Sequence, residues 1–287
     1  MRRVVVQGEL CLFDYLASVN YASGGFAAGI DVGGKVNFGS QQQWVTRDST
    51  FRSGMDGGAW SLVFVGVDFQ NAANASRTRA RTLDKPALSV VDKSPIIAEK
   101  PFICIDDGGK YSLMVPKYKT NSCGATLPQQ ELVEEFGFEK VFVARDSHGQ
   151  DDIQKALKYG YHVVFSPGIY YLSDALLVEK NGQVLLGIGM ATLVSSKNGC
   201  IKVKAGTNGV RIAGLTLQAC DGYTECLLEV GEEFGPSGDS SAPCVLSDIF
   251  VRVGGPLMRD GTSHREDTEV GSMVVIHSDH TIGDNLW

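Results

Sequence analysis

The second half of the chain returns to one arrangement of apolar and polar positions. "VLLGIGMATLV" (184–194), "VRIAGLTLQAC" (210–220), "VLSDIFVRVGG" (245–255) and the shorter "TIGDNLW" (281–287) each run apolar, polar or small, apolar, then Gly or Asp, then apolar again. A shorter apolar segment precedes each of the last three: "CIKVKAG" (200–206), "CLLEVGE" (226–232) and "SMVVIHS" (272–278). The unit is strand, turn, strand, and Ile201 to Leu227 sets a repeat of 26 residues. Period-two alternation predicts Ile201 and Val203 inside, with Lys202 and Lys204 outside. Repeats of this length with one inward aliphatic row imply stacked coils that bury their apolar face only against neighbours. The Asn-Gly pairs at 181–182, 198–199 and 208–209 separate strands that repeat in register, which favours a parallel β-helix over a sandwich of hairpins.

Upstream, "SHGQDDIQKALKYG" (147–160) predicts the clearest helix. Ile153, Ala156 and Leu157 share one face, Asp151 and Asp152 lie in the first turn, and Gly160 stops it. Such a helix would cap the stack, since an uncovered sheet end invites aggregation. In the first half, "RVVVQGELCLFD" (3–14), "FAAGIDVGGKVNFGS" (26–40), "QQWVTRDSTF" (42–51) and "WSLVFVGVDFQ" (60–70) predict strands separated by Gly-rich turns, a second stack. The polar stretch 71–95 reads as a linker and carries the sequon Asn74-Ala75-Ser76; 99–118 reads as a hairpin turning at Asp107-Gly108-Gly109. The expected organisation is part of an N-terminal β-helix over 1–70, a linker and hairpin over 71–140, and a cap helix with early coils of a second β-helix over 141–287.

Composition narrows the function classes. The 287 residues carry a formal charge of −7, so no basic footprint points to nucleic acid. No apolar run reaches the roughly 18 residues of a membrane span. "MRRVVVQGELCLF" is too short and polar for a signal-peptide core, and both ends read as cuts through regular structure, a fragment of a longer chain. Seven cysteines lack zinc spacing and read as free thiols in a strand-rich core, although Cys220 and Cys226 could bridge a short loop. Neither a Gly-rich phosphate loop nor a Gly-x-Ser-x-Gly nucleophile elbow is present, and no cofactor is expected.

"DDIQKALKYGYHVVFSPGIYYLSDALLVEKNGQVLLGIGMATLVSS" resembles the opening of pectate-lyase-like right-handed β-helix domains, over roughly residues 142–220. The whole arrangement resembles the tandem β-helix proteins related to glycoside hydrolase family 55. The resemblance implies an extracellular polysaccharide-active protein, a β-1,3-glucanase acting by inversion. It places the catalytic carboxylate in later coils of the second helix, so none maps onto this sequence, and residues 1–287 alone are expected to be inactive. Two rivals are a non-catalytic β-helix that binds glycan or builds structure, and an inactive fragment.

Inverting hydrolysis needs two carboxyl groups roughly 6.5–9.5 Å apart. "GSQQQWVTRDS" (39–49) offers suitable groups: Gln41, Gln43, Trp44 and Arg47 as sugar contacts, Asp48 as the carboxylate to test first and Asp31 as the second. The competing reading makes the glutamines a structural amide ladder, Trp44 core, and Arg47–Asp48 a surface ion pair. In "HSDHTIGDN" (277–285), His277, Asp279, His280 and Asp284 could hold a metal, but a strand-joining turn favours these residues anyway, and no metal site is assigned. "GTSHREDTE" (261–269) reads as a solvated loop. Oligomeric state is not encoded in any of these patterns.

Overall fold

The computed structural model describes residues 1–13, 22–70, 78–126, 130–220, 222–254, 268–277 and 280–287. Asn74-Ala75-Ser76, Asp279 and most of the 261–269 loop lie outside them. The chain is a right-handed parallel β-helix of two stacks, and it divides into two units. One comprises Met1–Ala98 with Lys117–Leu132, the other Glu99–Pro116 with Val133–Trp287.

In the first unit, Arg2–Val6, Gly25–Val32, Gln43–Arg47, Ser61–Val65 and Ala87–Val91 pair in parallel, one per coil. Trp44 stacks on Leu62, so a coil here takes 18 residues. The stretch 71–95 read as linker therefore contains a further coil. Its strand "ALSVV" buries Leu88, but flanking polar residues mask the alternation. Phe38, Phe51, Phe64 and Phe69 meet edge-on within the core, with Phe64 and Phe69 centroids 5.2 Å apart.

The chain turns the same corner in each coil. The register that aligns Arg2, Ala28, Arg47 and Val65 places Arg3, Gly29, Asp48 and Gly66 next in column, and all four have positive φ. One left-handed residue per corner redirects the strand, which favours Gly, Asp or Asn. At Gly66 no Cβ is tolerable: it would lie 2.5 Å from the Asp48 Oδ1.

In the second unit, α1 spans Gln150–Lys158 and inserts Ile153 and Leu157 into an aliphatic core. The strands Val141–Ala144, His162–Phe165, Val184–Gly187, Arg211–Ala213, Cys244–Arg252 and Thr281–Leu286 stack in parallel. Val184 pairs with Arg211 rather than Val210, a step of 27 residues, whereas Thr192 pairs with Thr216, a step of 24, because Ile188-Gly189-Met190 lengthen the corner between them. Likewise Ile201 pairs with Leu228, one residue beyond Leu227, which brings Lys202 opposite Glu229. Gly214, Asp248 and Asn285 have the positive φ of the corner column here. The hairpin Phe102–Ile105 with Tyr111–Pro116 forms around Asp107 and gains a third antiparallel strand, Val133–Gly137. Its Leu113 and Val115 pack on Val164, Val184 and Leu186, the outward row of the second stack. Lys100 beside it reaches the corner Asp248 at 3.0 Å.

Candidate functional site

The glutamine-tryptophan stretch resolves residue by residue. The strand Gln43–Arg47 starts at Gln43, whose side chain and that of Val45 face outward, while Trp44 and Thr46 face the core. Trp44 sits edge-on to Phe38 at 5.8 Å between ring centroids. Gln41 precedes the strand and is buried. Its Nε2 donates to the Leu12 carbonyl at 2.8 Å, and its Oε1 accepts the Gly24 N–H at 3.0 Å. The amide thus ties neighbouring coils instead of facing solvent, and of the expected sugar contacts only Gln43 points outward.

Arg47 and Asp48 do form an ion pair, but a buried one, with Nη1 2.6 Å from Oδ2 and Asp48 only 1% exposed. The other carboxylate oxygen of Asp48 accepts from Ser94 Oγ at 3.0 Å and Ser122 Oγ at 2.9 Å. A substrate cannot approach a carboxylate enclosed this way, and its left-handed backbone assigns it to the corner. Asp31 is also buried and takes a two-pronged contact from Arg52, at 2.9 Å to Nε and 2.7 Å to Nη2. The bidentate geometry fixes both side chains.

A cavity of about 290 Å³ in the same unit gathers the chemistry those residues do not present. Gln42, Trp60, Arg81 and Asp84 line it. Trp60 is 44% exposed. Alternation back from Leu62 and Phe64 would bury it, but the strand begins at Ser61 and the Gly57-Gly58 turn breaks the phase. Gln42 uses its backbone in the stack, donating to the Ala22 carbonyl and accepting from Ser61 N–H. Arg81 Nε donates to the Ala59 carbonyl at 3.1 Å. The Thr82 hydroxyl donates to Asp84 at 2.9 Å, and this bond, with the Asp84 backbone N–H, holds the carboxyl below the usual carboxylate range. An indole face with an amide, a guanidinium and a carboxylate can pack on the C–H face of a sugar and bond its hydroxyls. The volume is near the lower end of small-molecule sites, about 300 Å³. Only the Gly-Gly pair ahead of Trp60 signalled this placement in the sequence.

In the second unit, an outward row joins Lys202, Glu229 and His277. Lys202 Nζ lies 3.1 Å from Glu229 Oε2, and His277 Nε2 lies 3.3 Å from Oε1. Asp284 is buried, and among the described residues no group of three or more His, Cys, Asp or Glu could hold a metal. All seven cysteines are free: Cys200, Cys226 and Cys244 are buried, whereas Cys11, Cys104 and Cys123 are exposed, so burial accounts for only part of the set.

A family model described as the LAM55 pectate lyase-like domain matches residues 141–287. An exo-beta-1,3-glucanase of Streptomyces sp. (strain SirexAA-E / ActE) is 32% identical over 292 residues, covering 100% of this chain and 44% of that protein. The solved structure of sacteLam55A from Streptomyces sp. SirexAA-E matches the whole chain with a TM-score of 0.85 at 30% identity, covering 48% of that chain. A variant of it in complex with glucose gives a TM-score of 0.86 at 30% identity, again over 48% of that chain. The chain therefore spans about half the length of the relatives it matches.

Proposed function

Because the chain belongs to the LAM55 pectate lyase-like family, we propose that the full-length protein hydrolyses a β-1,3-glucan outside the cell. The observation that carries this reading is the similarity to an exo-beta-1,3-glucanase, which runs through both stacks and the segment between them. Within this chain, Asp48 and Asp31 serve the coils, and the acid and base belong to other carboxylates of the full-length protein. Trp60, Gln42, Arg81 and Asp84 contact glucan, and Gln43 extends the polar outer face beside them. No helix among the described residues is long and apolar enough to cross a membrane.

A second reading, a glycan-binding β-helix without turnover, is favoured by one observation: the Trp60 cavity has an aromatic face and a single carboxylate, Asp84, among its lining residues. Incubation of the full-length protein with laminarin decides between them. Release of glucose supports the hydrolase. Retention of glucan with no new reducing ends supports the binder, and absence of both refutes the two readings together.

A further inference from the structure

A larger cavity, about 500 Å³, lies in the second unit at the end of α1 and is lined by Glu134, Lys140, Tyr159, Tyr161, His162 and Gln183 among others. The end of the helix builds it. Gly160 has φ 86°, and the Tyr161 N–H bonds back to the Ala156 carbonyl at 3.1 Å. This wrap stops the helix and displays a tyrosine on each side of the glycine. Tyr159 is 72% exposed and Tyr161 40%. Gln183 Nε2 locks the turn from below, donating to the carbonyls of Leu157 at 2.9 Å and Tyr161 at 3.0 Å. The same two tyrosines line a neighbouring cavity of about 420 Å³, so they form a ridge with a hollow on either side.

The buried end of the larger cavity is His162, 7% exposed. Its Nδ1 accepts the Val184 N–H at 3.2 Å, so the ring proton sits on Nε2. Among the described residues Nε2 has no protein partner. Burial, then the nearby charge of Lys140, pushes the pKa of His162 down to about 4. The group is thus a neutral N–H donor at ordinary pH. Around it the charges balance: Glu134 and Glu139 against Lys140 and Lys180. A polyanion would meet the glutamates and a polycation the lysines. An uncharged, hydroxyl-rich ligand with apolar C–H faces meets two tyrosine rings and an N–H donor that no described residue engages.

We propose that the Tyr159–Tyr161 ridge with His162 is a second carbohydrate site, which holds a segment of neutral glucan apart from the Trp60 cavity. That the glycan is a β-1,3-glucan rests on the function proposed above. The test is binding of a β-1,3-linked glucohexaose to the full-length protein by calorimetry, with cellohexaose and maltohexaose in parallel. The His162 Nε2–H resonance is followed by nitrogen NMR in the same titrations. Tyr159→Ala and Tyr161→Ala, both at exposed positions, are each expected to weaken one binding event about tenfold, a loss of one stacking contact. The His162 resonance is expected to shift on saturation, which a purely structural histidine would not do. Unchanged affinity in both variants with an unmoved resonance would overturn this site and leave the hydrolase reading standing. A shift produced only by cellohexaose or maltohexaose would keep the site and overturn the β-1,3-glucan assignment.

Discussion

Replacing Asp48 distinguishes a corner residue from a catalytic one. In Asp48→Ala, Arg47 loses a carboxylate 2.6 Å away in a buried setting, and the hydroxyls of Ser94 and Ser122 lose their shared acceptor. Removing one partner of a buried ion pair costs about 3–5 kcal/mol. Alanine is also strained at the φ of 43° found here, by about 1 kcal/mol. The expected loss is about 5 kcal/mol, or a fall of about 2.5 M in urea midpoint at a slope of about 2 kcal/mol per molar. Asp48→Asn keeps the shape, one acceptor and tolerance of the left-handed corner, and should lose about 2 kcal/mol. Unfolding is read from the fluorescence of Trp44, which is buried in the same core, whereas Trp60 and Trp287 are exposed. A midpoint shift below about 0.5 M for Asp48→Ala would refute the corner role. So would Asp48→Asn with intact stability and glucan hydrolysis lowered at least about a hundredfold, since a rate loss of that size marks a proton-transfer group.

Trp60→Ala should weaken laminarin binding about tenfold in affinity electrophoresis with the urea midpoint unchanged, because the indole packs on ligand rather than core. For His162, the folded pKa near 4 lies below the ordinary 6.5. The unfolded chain protonates first, so stability is complete above about pH 6.5 and falls by up to about 3 kcal/mol towards pH 4. Urea midpoints at three pH values test this, and His162→Phe should flatten the slope; an unaltered slope contradicts the assignment. Ellman's reagent should modify Cys11 and Cys104 rapidly, and Cys123 more slowly, because burial and then the Asp68 and Asp48 carboxylates push its thiol up. Cys200, Cys226 and Cys244, whose thiols burial pushes up, should react only after unfolding. Gly214→Ala should cost about 2 kcal/mol or more: φ is +67°, and the new methyl would lie 2.6 Å from the Gly187 carbonyl oxygen.

Alternation carried the architecture well. Val203 is interior and Lys204 solvent-exposed as the pattern requires, and α1 lies within the predicted 147–160. Register was less legible. Leu227 and Leu228 are both wholly buried, so hydrophobicity cannot choose between them; the pairing of Lys202 with Glu229 accompanies the observed choice. The site was least legible, because side-chain direction near a turn depends on where a strand begins. Gln41 and Gln43 share a phase on paper, yet only Gln43 lies on the strand. Trp44 lies within its alternating strand and fills the core, whereas Trp60 stands one residue before its strand and faces solvent. Asp48 binds serines 46 and 74 positions away, a contact to which no local pattern refers.

That last contact orders events during synthesis. The Asp48 side chain emerges with its coil, but Ser94 and Ser122 follow 46 and 74 residues later. Closing such a long loop is slow and entropically unfavourable, and it precedes any reward from the contact. Until the returning strand Lys119–Ser122 pairs with Ser94–Ile97, the carboxylate at that corner must stay hydrated. The first stack therefore completes its folding only after the hairpin residues that belong to the second unit have left the ribosome. Assembly of the two units is interleaved along the chain rather than sequential.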